Sequence, residues 1–148
     1  MKHGIGHTKE WFQLAVPEPT QKNVSVQLGV HLEEVAEMIA ALKGKDRVTQ
    51  SMFTQATIAL HGLALHLKNN DGSCFEVEDK LEMLDGICDQ LVTGTGLAHM
   101  LRFDIEGALA EVNRSNFSKF VDGKPIFDAN RKISKGPDYF KPDLAQFL

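Results

Sequence analysis

Five apolar residues at alternating spacings of four and three mark one stripe along the chain between residues 28 and 42. They are Leu28, Leu32, Val35, Ile39 and Leu42. The 3.6-residue period of an α-helix brings them to one face. The spacing predicts a helix from about Asn23, a side chain suited to an N-cap, to Lys43. Such an amphipathic helix needs neighbouring elements to cover its apolar stripe.

Three further helices are predicted downstream, over residues 47–68, from 76–79 to 103, and from 104 to 120. The segment NNDGS at 69–73 breaks the chain between the first two of these. Residues 121–148 are rich in Gly, Pro and Asp and predict an irregular tail. We therefore expect an all-α fold: a single domain over 1–148, with core helices over about 22–120 that form a four-helix bundle followed by the tail.

The composition favours a soluble, cytoplasmic protein. Hydrophobic residues make up 43% and charged residues 24%, proportions that are ordinary for a globular domain. The two cysteines show no CxxC spacing, which argues against a disulfide framework. The longest apolar region, 56–67, is interrupted by His61 and His66 and is too short to cross a bilayer, so no membrane partner is expected.

The charges are divided unevenly along the chain. The net charge of −4 argues against nucleic-acid binding. Residues 1–113 carry a balance of −7, whereas residues 114–148 carry +3. An acidic body and a basic tail suit a metal ion at one place and an anionic ligand at another. The alternative, a tail that docks electrostatically on a helical bundle, is equally compatible with this division.

The first long helix carries three glutamates within little more than one turn: Glu33, Glu34 and Glu37. All three face away from the apolar stripe, as residues on a solvated surface do. Like charges three or four residues apart on a helix repel each other, however. The group is either an ordinary polar face or a cluster that a cation stabilises.

A second acidic group lies on the helix predicted to end at 103. Glu82, Asp85 and Asp89 fall within about 60° of one another on a helical wheel. No Lys or Arg follows Asp85 or Asp89 by three or four residues. Two such groups could supply an all-oxygen site, which suits Mg²⁺ or Mn²⁺ and not zinc. A di-iron site would require Glu-x-x-His, which does not occur in the chain.

Four segments in order resemble a known family. The segments LEEVAEMI, LDGICDQLVTGTG, EVNRSNFSK and KGPDYFKPDL resemble the MazG-like nucleoside triphosphate pyrophosphohydrolases, in particular the short, single-domain bacterial and phage type. These are all-α enzymes related to dimeric dUTPases and to phosphoribosyl-ATP pyrophosphohydrolase. The resemblance covers about residues 12–144 and implies Mg²⁺-dependent hydrolysis of a nucleoside triphosphate to the monophosphate and pyrophosphate.

The resemblance also implies which residues hold the metal, with Mn²⁺ as a possible substitute for Mg²⁺. The family's Glu-x-x-Glu falls on Glu34 and Glu37, with Glu33 adjacent. Its second acidic motif falls on Asp85 and Asp89. Glu82 is a further candidate, because Glu82 and Asp85 also have the Glu-x-x-Asp spacing, and either Glu82 or Asp85 could be the partner of Asp89. The glutamate that activates water is Glu34 or Glu33.

The later segments imply contacts with the nucleotide. The candidates are Asn113, Asn116, Lys119, Arg114, Lys135 and Tyr139. Arg114 is also placed to pair with Glu111, and His31, one turn before Glu34, is a further candidate. We expect a homodimer or homotetramer in a bacterial or phage-infected cytoplasm. A non-catalytic nucleotide or metal sensor and a helical adaptor are the alternatives, and the preferred base stays open.

Overall fold

The computed structural model describes residues 4–128 and 133–148, so residues 129–132 of the predicted tail lie outside the described part. The helices are α1 (Ile5–Ala15), α2 (Gln21–Ala40), α3 (Arg47–Asn69), α4 (Lys80–Met100) and α5 (Ile105–Phe117), followed by a short 3₁₀-helix, Ala145–Phe147. The all-α prediction is confirmed. The described part holds five helices rather than the four predicted, because α1 was not anticipated.

The chain divides into two compact units. The hairpin unit is Glu18–Glu78 and contains α2 and α3. The terminal unit combines Met1–Pro17 with Asp79–Leu148 and contains α1, α4 and α5. The single-domain expectation for the whole chain stays a prediction.

The start of α2 is fixed by a capping box, two residues before the predicted boundary. The Thr20 side chain accepts a hydrogen bond from the Asn23 N–H, and the Asn23 side chain accepts one from the Thr20 N–H. Thr20 is therefore the N-cap, and Asn23 occupies the third helical position. The helix ends at Ala40 rather than Lys43.

The hairpin closes through small side chains. The buried residues of α2 are Ser25, Gly29 and Ala36, and those of α3 are Ala64 and Leu67. A Cβ added at Gly29 would lie 2.7 Å from the carbonyl oxygen of Ala64, so only glycine permits this close approach. The Ser25 hydroxyl donates a buried hydrogen bond of 2.7 Å to the Leu67 carbonyl.

The predicted apolar stripe is not the line of closest contact between α2 and α3. Leu28, Leu32, Val35 and Ile39 are half-buried, and Leu42 lies beyond the helix with 51% of its surface exposed. Larger side chains would hold the two backbones apart, so the small residues form the seam and the leucines flank it.

In the terminal unit, α1 packs on α5 through polar and aromatic contacts. The Trp11 indole N–H donates to the Asn116 carbonyl at 2.9 Å, and the Trp11 ring stacks on Phe120 with 5.7 Å between centroids. His7 stacks on Phe117 at 4.4 Å. These partners lie more than 100 residues away in sequence, so tertiary contacts stabilise α1.

The C-terminal segment docks on α5 through the backbone. The Ser115 hydroxyl donates to the Phe140 carbonyl at 2.8 Å, and the Phe140 N–H donates to the Ser118 hydroxyl at 3.2 Å. The Gly136 N–H donates to the Lys119 carbonyl at 3.1 Å. Two isolated antiparallel bridges, Val121–Lys124 and Phe127–Ile133, are the β-structure of the described tail.

Helix α4 has well-defined ends and an exposed middle. The Asp79 carboxylate caps it by accepting the N–H groups of Leu81 and Glu82. At its end the Phe103 N–H donates to the Ala98 carbonyl, and Arg102 takes a left-handed φ of 65°, which together form a Schellman motif. Ala98 is the only buried residue of α4. Among the described elements of its own unit, α4 packs only against α5.

No helix of the described residues has the length and apolar character that crossing a bilayer requires.

Candidate metal and nucleotide site

Glu34 and Glu37 are exposed on α2. Within the described part of the chain, neither carboxylate forms a hydrogen bond or an ion pair. The two residues lie about 60° apart around the helix axis. They present two neighbouring oxygen donors, which is the ligand type that hard divalent cations prefer.

Glu33 has a different environment from its two neighbours. Its carboxylate accepts hydrogen bonds of 2.7 and 2.8 Å from the ammonium group of Lys68 on α3. The Glu33 side chain is 37% exposed and that of Lys68 27%, so the pair is partly shielded from water. Lys68 thus supplies the positive charge beside Glu33 and links the two helices of the hairpin. No sequence signal pointed to this pair, because its partners are 35 residues apart.

The second acidic group lies along α4. Glu82, Asp85 and Asp89 are all exposed. None of the three carboxylates has a hydrogen bond or an ion pair within the described residues. Like the pair on α2, they offer oxygen donors only, so the chemistry of both donor sets fits Mg²⁺ or Mn²⁺.

The two acidic groups belong to different units: the α2 glutamates to the hairpin unit and the α4 acids to the terminal unit. Over residues 4–128 and 133–148, no three His, Cys, Asp or Glu side chains cluster closely enough to share one metal ion. The metal-site assignment therefore stays a prediction from the sequence.

The three predicted nucleotide contacts on α5 differ in accessibility. Asn113 is 1% exposed; its side chain accepts from the Thr8 hydroxyl at 2.9 Å and donates to the Gly4 carbonyl at 3.2 Å. Asn116 is half-buried, and its side-chain oxygen accepts a hydrogen bond of 2.8 Å from the Lys119 ammonium. In this structure Asn113 fixes the start of α1, whereas Asn116 and Lys119 stand nearer to the surface.

Arg114 forms the ion pair with Glu111 that was one of its two predicted roles. The guanidinium donates to both carboxylate oxygens at 2.8 and 2.9 Å and lies 4.0 Å from the centroid of the Phe140 ring. The Asp143 N–H adds a hydrogen bond of 3.0 Å to Glu111. Hydrogen bonds from Arg114 and from the Asp143 backbone lower the pKa of Glu111, and the same pairing raises the pKa of Arg114. The Glu111 side chain thereby ties the C-terminal segment to α5.

The remaining predicted contacts with the nucleotide are cationic or aromatic. The Lys135 ammonium lies 4.7 Å from the centroid of the Tyr139 ring, and the Lys119 ammonium lies 5.8 Å from that of Trp11. Both distances are in the range of cation–π interactions. His31 is exposed on α2, in the hairpin unit. The terminal unit thus carries two lysines beside aromatic faces, an arrangement suited to phosphate groups and a base.

The chain was compared with protein-family models, with curated proteins and with solved structures, and none of the three comparisons gave a match.

Proposed function

We propose that this protein hydrolyses (deoxy)nucleoside triphosphates to the monophosphate and pyrophosphate, as a MazG-like enzyme of nucleotide-pool control. The observation that carries the proposal is the set of exposed carboxylates on α2 and α4, which have no positively charged protein partner among the described residues. Crowded carboxylates without such a partner are stabilised by a bound cation. The resemblance of four ordered sequence segments supplies the reaction.

In this proposal the candidate ligands of Mg²⁺, for which Mn²⁺ substitutes, are Glu34 and Glu37 on α2 and Asp85 and Asp89 on α4. Glu82 is a further candidate ligand beside Asp85. When bound, such an ion would supply positive charge for the triphosphate oxygens and would lower the pKa of a coordinated water. The carboxylates would fix the position of that ion. Because these side chains are exposed, a substrate could reach the ion from solvent.

Glu34 is the better candidate for orienting the attacking water. The carboxylate of Glu33 is engaged by Lys68, whereas that of Glu34 has no partner in the described residues. Glu34 would accept a proton from water as the water oxygen bonds to phosphorus. The α–β phosphoanhydride then breaks, and pyrophosphate leaves with the bridging oxygen. Glu33 would act by positioning α2 against α3.

For substrate binding, we assign direct contacts to Asn116 and Lys119 and an indirect role to Asn113. The Asn113 side chain is buried and hydrogen-bonded to Thr8 and Gly4, so we assign it a role in shaping the site rather than in touching the ligand. Lys135 and Tyr139 extend the basic, aromatic surface of the tail. Arg114 holds the tail through Glu111, and His31 is a candidate contact from α2.

The proposal includes self-association into a homodimer or homotetramer in the cytoplasm, with the long helices forming a four-helix bundle. Its basis is the number of large apolar side chains that stay exposed on α3 and α4, including Val48, Met52, Ile58, Leu81 and Leu84. Exposed apolar surface of this extent marks an interaction surface in a soluble protein.

The test is incubation with each common dNTP and NTP in the presence of Mg²⁺ or Mn²⁺, with release of pyrophosphate as the readout. We expect release that depends on the metal and stops on chelation. Glu37→Gln and Asp89→Asn should each abolish turnover while the circular dichroism spectrum is preserved. The matched control is Glu76→Gln, an exposed glutamate outside both acidic groups, and it should leave turnover unchanged.

Two results would contradict the proposal in different ways. Absence of pyrophosphate from every triphosphate, together with tight metal-dependent nucleotide binding, would identify a sensor. Unchanged metal affinity in both Glu37→Gln and Asp89→Asn would mean that these acids are ordinary solvent-exposed side chains, as expected of a helical adaptor.

A further inference from the structure

The dipeptide Asp-Gly occurs three times in the chain, each time with a different backbone structure. The dipeptide at 71–72 follows the end of α3, the one at 85–86 lies within α4, and the one at 122–123 follows the end of α5. Aspartate isomerises most readily before glycine, because glycine has no Cβ to hinder the reaction of its backbone nitrogen with the preceding carboxyl group. The residue types are the same at all three places, so differences between them come from the fold.

Isomerisation proceeds through a cyclic imide. The backbone nitrogen of the glycine attacks the carbon of the protonated aspartic acid side chain. A C–N bond forms, a C–O bond breaks, and one water molecule leaves with the amide hydrogen. Water then adds back to the imide: addition at the former side-chain carbonyl restores aspartate, whereas addition at the main-chain carbonyl gives isoaspartate, whose backbone runs through Cβ. The reaction therefore needs a glycine N–H and an aspartate carboxyl group that are not held by other partners.

At 85–86 the helix holds the glycine nitrogen. Both residues lie inside α4, which runs from Lys80 to Met100. The helical hydrogen-bond pattern engages the Gly86 N–H with the carbonyl group four residues earlier. The nitrogen reaches the Asp85 carboxyl group only if this turn of the helix opens.

At 71–72 the aspartate carboxyl group is held instead. The Asp71 side chain accepts a hydrogen bond of 2.9 Å from the Ser73 N–H. The Gln21 side-chain amide donates to the Gly72 carbonyl at 3.2 Å and restrains the backbone there. Hydrogen bonds from Ser73 also lower the pKa of Asp71, so the protonated form that can lose water is rarer.

The dipeptide at 122–123 has neither restraint. Val121 and Lys124 exchange two backbone hydrogen bonds of 2.9 and 3.0 Å across it. Asp122 and Gly123 have φ values of 50° and 72°, and positive φ at both central residues is the pattern of a type I′ hairpin turn. Among the residues that the structure describes, neither the Asp122 carboxyl group nor the Gly123 N–H has a hydrogen-bond partner. Both reacting groups are therefore available within the folded turn.

The backbone conformation of Asp122 favours the same outcome. A positive φ is less favourable for an L-residue with a side chain than for glycine, because Cβ crowds the following carbonyl oxygen. Isoaspartate places Cβ in the backbone and so adds a rotatable bond at this position. The change relieves a constraint that the turn imposes on aspartate.

We propose that Asp122 is a site of spontaneous isoaspartate formation in the folded chain, whereas the fold protects Asp71 and Asp85. The argument uses contacts of residues that are close in sequence, together with the Gln21 contact inside the hairpin unit, and it does not depend on catalysis.

Isomerisation at residue 122 acts on the docking of the tail. A two-residue turn lengthened by one backbone carbon does not keep both hydrogen bonds between Val121 and Lys124. Gly136 packs directly beside this turn: its N–H donates to the Lys119 carbonyl, and a Cβ added to it would lie 3.0 Å from the Val121 side chain. Isoaspartate therefore loosens the contact that holds the segment around Lys135 against the end of α5.

The first test follows isoaspartate in the native chain during long incubation at neutral pH and body temperature. Trypsin separates the three dipeptides by cleaving after Lys80, Arg102 and Lys119. Isoaspartate changes the retention of a peptide without changing its mass, and it resists endoproteinase Asp-N. We expect isoaspartate to form about tenfold faster at residue 122 than at residue 71 or 85.

The matched condition is the same chain unfolded in guanidinium chloride, where the three rates should converge. Equal rates at the three residues of the folded chain would overturn the proposal. Formation of isoaspartate at residue 122 in the unfolded chain but not in the folded chain would overturn it as well, because the turn would then protect Asp122.

Two asparagine variants separate backbone structure from the pKa of the carboxyl group. Asp122→Asn and Asp71→Asn each create Asn-Gly, whose imide forms with loss of ammonia, so that its hydrolysis is detected as a change in mass. Asparagine is well suited to a type I′ turn, so the first variant keeps the fold. It should deamidate about tenfold faster than Asp71→Asn, in which the Ser73 N–H still holds the side-chain oxygen.

Asp122→Glu is the charge-preserving control. Its side chain would have to close a six-membered ring, so isomerisation at residue 122 should stop while the other two residues keep their rates. Equal deamidation of the two asparagine variants, or an unchanged isoaspartate yield in Asp122→Glu, would contradict the assignment.

Discussion

The hairpin unit and the terminal unit achieve their packing by opposite means. In the hairpin unit, two long helices meet through Gly29, Ala36 and Ala64, so that backbone approaches backbone. In the terminal unit, α1 and the C-terminal segment reach α5 through aromatic stacking and hydrogen bonds to Asn113 and Glu111. The packing of the two hairpin helices therefore depends on the absence of a side chain at Gly29. The terminal unit depends on particular polar partners and their charge states.

The largest effect is expected from added volume in the hairpin. Gly29→Ala should destabilise the chain by about 2 kcal/mol, because the new methyl group would overlap the Ala64 carbonyl and the Lys68 side chain, each at 2.7 Å. The measurement is the free energy of unfolding in urea, followed by circular dichroism.

The same substitution at Gly62 is the matched control. Gly62 lies within α3, and a Cβ there would meet no atom of the described residues within 4 Å. Gly62→Ala should stabilise the chain by about 0.5 kcal/mol through helix propensity. Equal effects of the two substitutions would show that Gly29 is not a point of close contact.

A smaller, pH-dependent effect is expected in the terminal unit at Glu111. Folding lowers the pKa of this carboxyl below its ordinary value of 4.5, because Arg114 and the Asp143 N–H donate to it. The ionised form therefore stabilises the folded chain at pH values above 4.5. This contribution is lost as the pH falls through the lowered pKa.

Glu111→Gln should consequently be less stable than the native chain at neutral pH, and the difference should shrink in acid. The measurement is urea unfolding followed by the fluorescence of Trp11, the single tryptophan of the chain, which packs on α5. Asp138→Asn, which neutralises an exposed carboxyl of the same tail, should show no such pH dependence. A difference that persists unchanged into acid would mean that the Glu111 charge does not hold the tail.

The smallest effect is expected from the Glu33–Lys68 pair. A double-mutant cycle with Glu33→Gln and Lys68→Met should give a coupling free energy of about 0.5 kcal/mol, because water screens both partly exposed partners. Added salt should reduce it further. A coupling free energy of zero would mean that the pair does not contribute to the closure of the hairpin.

Local sequence signals predicted most of the helical segments well. The predicted helix at 47–68 corresponds to Arg47–Asn69, and the next one to Lys80–Met100 within a predicted 76–103. For each of these two helices, a neighbouring Asp or Asn marks the start or the end. Helix α1 was missed because its stabilising partners, Asn113 and Asn116, are distant in sequence. The start of α2 was misplaced because two residues, Thr20 and Asn23, cap the helix jointly.

For the candidate site, the sequence predicted which side chains offer oxygen donors but not which partners each of them has. The spacing of Glu34 with Glu37, and of Asp85 with Asp89, showed which acids share a helix face. The sequence did not distinguish Glu33, which pairs with Lys68, from Glu34, which has no such partner in the described residues. It also did not separate the buried Asn113 from the more accessible Asn116, although the two lie one turn apart.

The sequence by itself determined that this chain is helical, where most of its helices run, and which of its faces carry acids or apolar residues. These properties follow from the 3.6-residue period and from local capping, which act within one turn. Only the tertiary structure decided that Gly29 forms the hairpin contact, that Glu33 pairs with Lys68, and that the Asp143 N–H binds Glu111. Those outcomes depend on which distant backbone or charge comes within a few ångströms, and no local pattern encodes that distance.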